Sequence, residues 1–168
     1  MKIVFSKVRE DAKIPSKRVE DAGYDIYACF DEDYIVIEPS QSIFVPTGIA
    51  SAFPNNYVAL LRERGSTGSK QMALRCGVID AGFRGEWKVA INNTSEQQIV
   101  IVKAKFVEEN PSHFENMKEY CTVYPYEKAI AQFIFTNAFH AEIIEIPHEK
   151  LEQIKSERGT GMLGSSGA

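Results

Sequence analysis

Short runs rich in Val, Ile, Phe and Tyr recur along most of this chain, each closed off by turn residues, and that rhythm restricts it to a mainly β fold. The runs cover 34–38, 42–45, 57–63, 86–92, 98–106, 129–136 and 141–146. Several alternate. In AIAQFIFT, Ile130, Gln132 and Ile134 share one face of a strand, while Ala131, Phe133 and Phe135 share the other. One helix is expected over 148–157, just after Pro147, with Leu151 and Ile154 one turn apart. A second short helix is expected over 71–74. Many short strands with regular turns predict an all-β sandwich or jelly roll.

A length of 168 residues suits one domain with short appendages. The net charge of -4 and the lack of a Lys/Arg cluster argue against a nucleic-acid partner. The cysteines, Cys29, Cys76 and Cys121, are odd in number and spaced for neither a zinc site nor a disulfide framework, which points to a reducing compartment. The apolar stretch in MKIVFSKVREDAK is far too short for a signal peptide, and no run reaches membrane-spanning length, so no membrane role is expected, and a location in the cytoplasm or, for a viral protein, inside the host cell. Residues 1–157 are read as one β domain. Within it, 108–126 is polar, contains Pro111 and Pro125, and is expected to be an extended hairpin or loop. Its aromatics, Phe114, Tyr120, Tyr124 and Tyr126, suggest a surface for a protein partner. The tail 158–168, RGTGMLGSSGA, is too rich in glycine for a core and is read as a mobile arm.

Four internal stretches and the tail carry candidate chemistry. In GVIDAGFRGEW, apolar residues lead to Asp80 and glycines follow, which predicts an acid partly buried at the mouth of a hairpin. Such an acid either caps its own turn or serves as a general base. Phe83 lies three residues on, with a ring for packing or stacking. In RERGSTGSKQ, Arg64, Gly65 and Ser66 follow a strand and offer backbone N–H groups to an anion, although the spacing is not that of a Walker A loop. In AGYDIYA, Asp25 is either a turn acid or a ligand to Mg2+ through water. Gln132 interrupts an apolar strand and needs a polar partner. In the tail, Arg158 and the Gly/Ser run offer charge, amides and small hydroxyls to phosphate oxygens.

Taken in order, AGYDIYA, RGSTGSK, GVIDAGFRGEWKVAINN, AIAQFIF and RGTGMLGSSG resemble the five motifs of the homotrimeric deoxyuridine triphosphatases, the dUTPases. The third matches over the most contiguous positions. The resemblance implies a jelly-roll-like β-clip, a homotrimer with sites at subunit interfaces, and Mg2+-assisted cleavage of dUTP to dUMP and pyrophosphate. It implies that Asp80 activates the attacking water and that Phe83 lies under the deoxyribose. Backbone around Gly77 and Ile79 would read uracil. Arg64, Gly65, Ser66 and Gln132 would hold phosphates, and Asp25 would join the metal's water shell. Arg158, Leu163, Gly164 and Ser165 would close the arm over the nucleotide.

The chain departs from the family pattern at several places. Phe83 stands where Tyr is usual, Gly65 where Ser is usual, Ala129 where a basic residue is usual, and Met162–Leu163 where Gly-Phe is usual. Two alternatives follow. One is a dUTP-sensing regulatory protein with weak turnover. The other is a relative of dCTP deaminase, but Arg84 occupies the place of that enzyme's acid.

Overall fold

The computed structural model describes residues 2–160. The chain divides into two units, Met1–Ala138 and Phe139–Ala168. Among the described residues, the first unit carries β1 (Val4–Lys7), β2 (Tyr24–Ile26), β3 (Tyr34–Ile37), β4 (Ser42–Pro46), β5 (Ile49–Ala52), β6 (Tyr57–Arg62), α1 (Gly65–Gly68), β7 (Met72–Arg75), β8 (Val78–Ile79), β9 (Lys88–Asn93), β10 (Gln98–Val102), α2 (Ala104–Glu109), α3 (Pro111–Tyr120), β11 (Cys121–Pro125) and β12 (Ala131–Asn137). The second carries α4 (His148–Glu152). The strands form four small sheets, ordered β1-β5, β11-β10-β3, β2-β12-β6-β8 and β4-β9-β7. Every ladder is antiparallel except β10–β11. The fold is all-β and jelly-roll-like, with a few short helices.

One apolar core ties the sheets of the first unit together. Trp87, Phe133, Ile26, Ile37, Leu61, Ile91 and Ile101 are all fully buried. The period of two seen in the sequence decides the facing of β12: Ala131 and Phe133 point inward, while Gln132 and Ile134 are only half-buried. Phe133 packs against Tyr24, Phe5, Trp87 and Phe135, with ring centroids 5.1 to 5.9 Å apart.

Several expectations change. The expected short helix over 71–74 is strand β7, because Met72 to Arg75 complete the β4-β9-β7 sheet by pairing with β9. Helix α1 lies just before it instead. The run 98–106 is strand only to Val102 and then turns into α2. The helix expected over 148–157 is the shorter α4. Residues 141–146 join no ladder among the described residues.

The stretch 108–126 is not a plain loop or hairpin. It contains the end of α2, all of α3, and β11. Pro111 starts α3 at a position where a missing N–H costs little. Phe114 and Met117, three apart, share one half-buried face. Nor do its aromatics form one exposed patch. Tyr120 is exposed, but Tyr124 is 1% exposed, and Tyr126 packs edge-on against Phe30 at 4.9 Å.

No helix among the described residues is long and apolar enough to cross a membrane.

Candidate active site

Strand β8 is only two residues long and pairs with β6, Ile79 opposite Ala59 and Val78 opposite Leu60. Asp80 comes next. Its backbone carbonyl accepts the Phe83 N–H at 3.1 Å and closes a tight turn. The Arg84 guanidinium pins that turn through the carbonyls of Ala81 (2.6 Å) and Phe83 (3.1 Å). Gly85 leaves room for the Phe83 ring: a Cβ there would sit 2.7 Å from Phe83 Cζ. Downstream the chain is anchored in the core, where Trp87 N–H donates to the Ile49 carbonyl and Thr47 Oγ1 to the Trp87 carbonyl at 2.6 Å. Asp80 is exposed, not partly buried as expected, because burial ends with Ile79 and the turn directs the next side chain outward. It lines an open cleft of about 320 Å³ together with Phe44, Cys76, Val78, Ile79 and Phe83.

A second group gathers where β6 ends. The Arg64 guanidinium meets Asp25 from β2 through two contacts, Nε to Oδ1 at 2.8 Å and Nη2 to Oδ2 at 3.2 Å. Its Nη1 donates to Ser66 Oγ at 3.2 Å. The N–H groups of Thr67 and Gly68 turn back onto the Arg64 carbonyl, so those of Gly65 and Ser66 are the donors left over at the start of α1. Gln132 reaches the same place from β12, because β12 sets it between Asp25 of β2 and Arg62 of β6. Its Nε2 donates to the Glu63 carbonyl at 2.8 Å. Asp25, Arg64, Gly65, Ser66 and Gln132 line one cavity of about 820 Å³, together with residues of the 16–23 segment.

Gly23 keeps Gln132 in position. A Cβ there would collide with the Gln132 side-chain amide, approaching Cδ to 2.8 Å. The amide is the far end of a flexible side chain and swings aside cheaply, but it then leaves the Glu63 carbonyl. Gly23→Ala should therefore lower any turnover that depends on the placement of Gln132 by about tenfold or more, a loss typical of misplacing a group that orients substrate. It should move thermal stability by about 1 kcal/mol or less, within the ordinary range for single substitutions. Steady-state kinetics beside a melting curve check this; equal losses in both would refute it.

Glu63 was not singled out from the sequence. Its carboxylate accepts the Leu74 N–H at 2.8 Å and joins the end of β6 to β7. That backbone hydrogen bond holds its pKa below the ordinary 4.5. A carboxyl depressed in the folded state adds stability above its unfolded pKa and loses it as pH falls through the folded value. The melting temperature of Glu63→Gln should thus fall less steeply than that of the parent below about pH 4.5; parallel curves would contradict the assignment.

The other expected site residues lie elsewhere. Gly77 and Ile79 belong to the hairpin, where the Gly77 carbonyl already accepts the Leu61 N–H at 2.7 Å. Arg158 is exposed in the second unit, and its backbone N–H donates to Ser156 Oγ at 3.2 Å. Leu163, Gly164 and Ser165 lie outside the described residues. Among the described residues, the Asp80 cleft and the Arg64 cavity share no lining residue. Among the described residues no three His, Cys, Asp or Glu side chains cluster as a metal cage.

The dUTPase family model matches residues 10–107. The deoxyuridine 5'-triphosphate nucleotidohydrolase of Hydrogenobaculum sp. is 30% identical, over 99% of this chain and 99% of that protein. The one from Leptospira interrogans is 34% identical over 60% of this chain and 72% of that protein. Among solved structures, a mutant of the Staphylococcus bacteriophage 80alpha dUTPase with dUpNHpp superposes with a TM-score of 0.74 at 22% identity, covering 99% of both chains. A mutant dUTPase from phage phi11 of S. aureus, described with a structural Mg(II) ion, gives 0.66 at 22% identity over 87% of this chain and 97% of that one. With the family model spanning more than half of its length and a full-length relative at 30% identity, this chain belongs to the dUTPase family, the dUTP diphosphatases.

Proposed function

We propose that this protein hydrolyses dUTP to dUMP and pyrophosphate, with Asp80 as the base that takes a proton from the water attacking the α-phosphorus. The observation that carries the reading is the Asp80–Phe83 turn. It presents a carboxylate and an exposed ring side by side in one cleft, on a backbone pinned at both ends. Phe83 supports the deoxyribose, and the backbone of the hairpin pairs with uracil. Because Leu61 and Gly77 form a hydrogen-bonded pair, the alternation of an antiparallel ladder turns the N–H and C=O of Val78 away from β6, toward the open edge of the sheet. That donor–acceptor pair, flanked by Gly77 and Ile79, favours recognition of a base edge.

Arg64 and the amides of Gly65 and Ser66 bind phosphate oxygens, and Gln132 orders them. The charge of this group comes mainly from Arg64, which the Asp25 carboxylate orients and partly neutralises. Phosphoryl transfer asks chiefly for positioning and charge stabilisation. The donor set fits Mg2+ held mostly by water and substrate: Asp25, which lines the cavity with Glu20 and Asp21, keeps lone pairs free for water beside its Arg64 contacts. Mg2+ bound there supplies charge neutralisation for the phosphates. Arg158 and the tail, including Leu163, Gly164 and Ser165, close over the nucleotide.

The two clefts also favour a site built from several copies. Continued by one residue, the β6–β8 register sets Asp80 level with Val58, six residues before Arg64. At about 3.3 Å per residue this puts them roughly 20 Å apart along the strand, far beyond the separation of neighbouring phosphorus atoms. Asp80 of one copy and Arg64 of another are needed to grip one triphosphate, as in a homotrimer. The three free cysteines support a reducing interior such as the cytoplasm.

The test is a panel of dUTP, dCTP, dTTP and UTP with Mg2+, with products followed by chromatography. Release of dUMP and pyrophosphate from dUTP alone is expected. Tight binding of dUTP without turnover would replace hydrolysis with sensing, and a uracil product from dCTP would make the chain a deaminase.

A further inference from the structure

Tyr124 is a tyrosine from β11, the strand that follows the two inserted helices, and its ring is almost completely buried. A buried phenol needs partners for its hydroxyl, and here they lie on two different elements. The hydroxyl donates to the Ala129 carbonyl at 2.6 Å, three residues before Gln132. With that proton committed, its oxygen accepts the Ser66 hydroxyl at 3.3 Å. The Ser66 oxygen in turn accepts from Arg64 Nη1 at 3.2 Å, and the other edge of that guanidinium is held by Asp25. The hydrogen bonds therefore run one way, from Arg64 through Ser66 and Tyr124 to Ala129, and the buried phenol is the fixed end.

We propose that Tyr124 is a positioning residue for the phosphate group of the site, acting through Ser66 on Arg64. This rests on the reading of that group as the phosphate-binding half of a dUTPase. Asp25 holds one edge of the guanidinium through two contacts. The second anchor, from Ser66, holds the Nη1 side, and the exposed Ser66 side chain is itself tied to the buried Tyr124 hydroxyl. Ser66 also accounts for Gly65 beside Arg64: the hydroxyl that touches the guanidinium comes from the next residue.

The experiment compares the parent, Tyr124→Phe, Ser66→Ala and the double variant. Phe keeps the ring in place and removes only the hydroxyl. Affinities for inorganic triphosphate and for dUMP are measured by calorimetry, and dUTP turnover alongside. Tyr124→Phe should weaken triphosphate binding and raise KM for dUTP about three- to tenfold, leave dUMP affinity within about twofold, and add nothing to the loss caused by Ser66→Ala. Equal weakening of dUMP and triphosphate, no weakening of either, or additive losses would overturn the proposal and reduce Tyr124 to a packing residue. Should Tyr124→Phe not fold, 3-fluorotyrosine at position 124, which keeps the ring and alters only the strength of the hydroxyl's hydrogen bonds, must shift triphosphate affinity without shifting dUMP affinity, or the proposal fails. A parent that releases no pyrophosphate from dUTP would sink the substrate reading separately, because the inorganic triphosphate measurement does not depend on it.

Discussion

Asp80→Asn should abolish turnover while leaving the protein folded and able to bind nucleotide. A positioned general base contributes about 10²–10⁴ in rate, and an amide has no basic oxygen pair to replace it, so kcat should fall by about 10³-fold or more with KM changed little. The fold has little stake in this side chain. The turn is closed by the Asp80 carbonyl and pinned by Arg84, both of which the variant keeps. The carboxylate itself is exposed, so stability should stay within about 0.5 kcal/mol of the parent. Pyrophosphate release and binding of a non-hydrolysable dUTP analogue, measured on one preparation, separate the two effects. Residual turnover above about a tenth of the parent would mean that another group takes the proton and that Asp80 merely shapes the turn.

The clearest parts of the sequence were those whose physics is local. Alternation in AIAQFIFT set the facing of β12, and the glycines after Asp80 announced its turn. Local signals failed where a distant partner decides the outcome. Met72 to Arg75 are a strand because β9, some twenty residues on, offers them a ladder. The apolar run 98–106 concealed the start of α2, and polar residues between two prolines concealed α3; Pro111 is read as a breaker until it is seen at the first turn of a helix, and the Phe114–Met117 spacing was the available clue. The Asp25–Arg64 pair joins residues 39 positions apart. Tyr124 and Ser66 are 58 apart. Pairings at that range leave no periodic trace, so Asp25 and Arg64 were named for separate reasons and Tyr124 was read only as a surface aromatic.

Phenylalanine shows how far one residue type divides between fold and function here. Phe133→Ala should destabilise the protein by about 3–5 kcal/mol, the usual loss for a large aromatic removed from a close-packed core. Phe133 is 0% exposed, and its ring is the meeting point of Tyr24, Phe5 and Trp87, from three other places in the chain, and of Phe135 from its own strand. Truncation leaves a cavity that the β2-β12-β6-β8 sheet cannot close without moving β12, the strand that also carries Gln132. For a domain of this size each kcal/mol shifts Tm by about 2–4 °C, so a fall of roughly 6–20 °C is expected by calorimetry, with activity lost only as the fold is lost. Phe83→Ala should do the reverse. That ring is 43% exposed over the Asp80 cleft, so its removal should barely move Tm yet raise KM for dUTP and relax discrimination against UTP, as the platform beneath the sugar disappears. If Phe133→Ala melted within about 1 kcal/mol of the parent, the aromatic cluster would not be the centre of the core. If Phe83→Ala lost stability instead of selectivity, the ring would be part of the fold and the sugar would need another support.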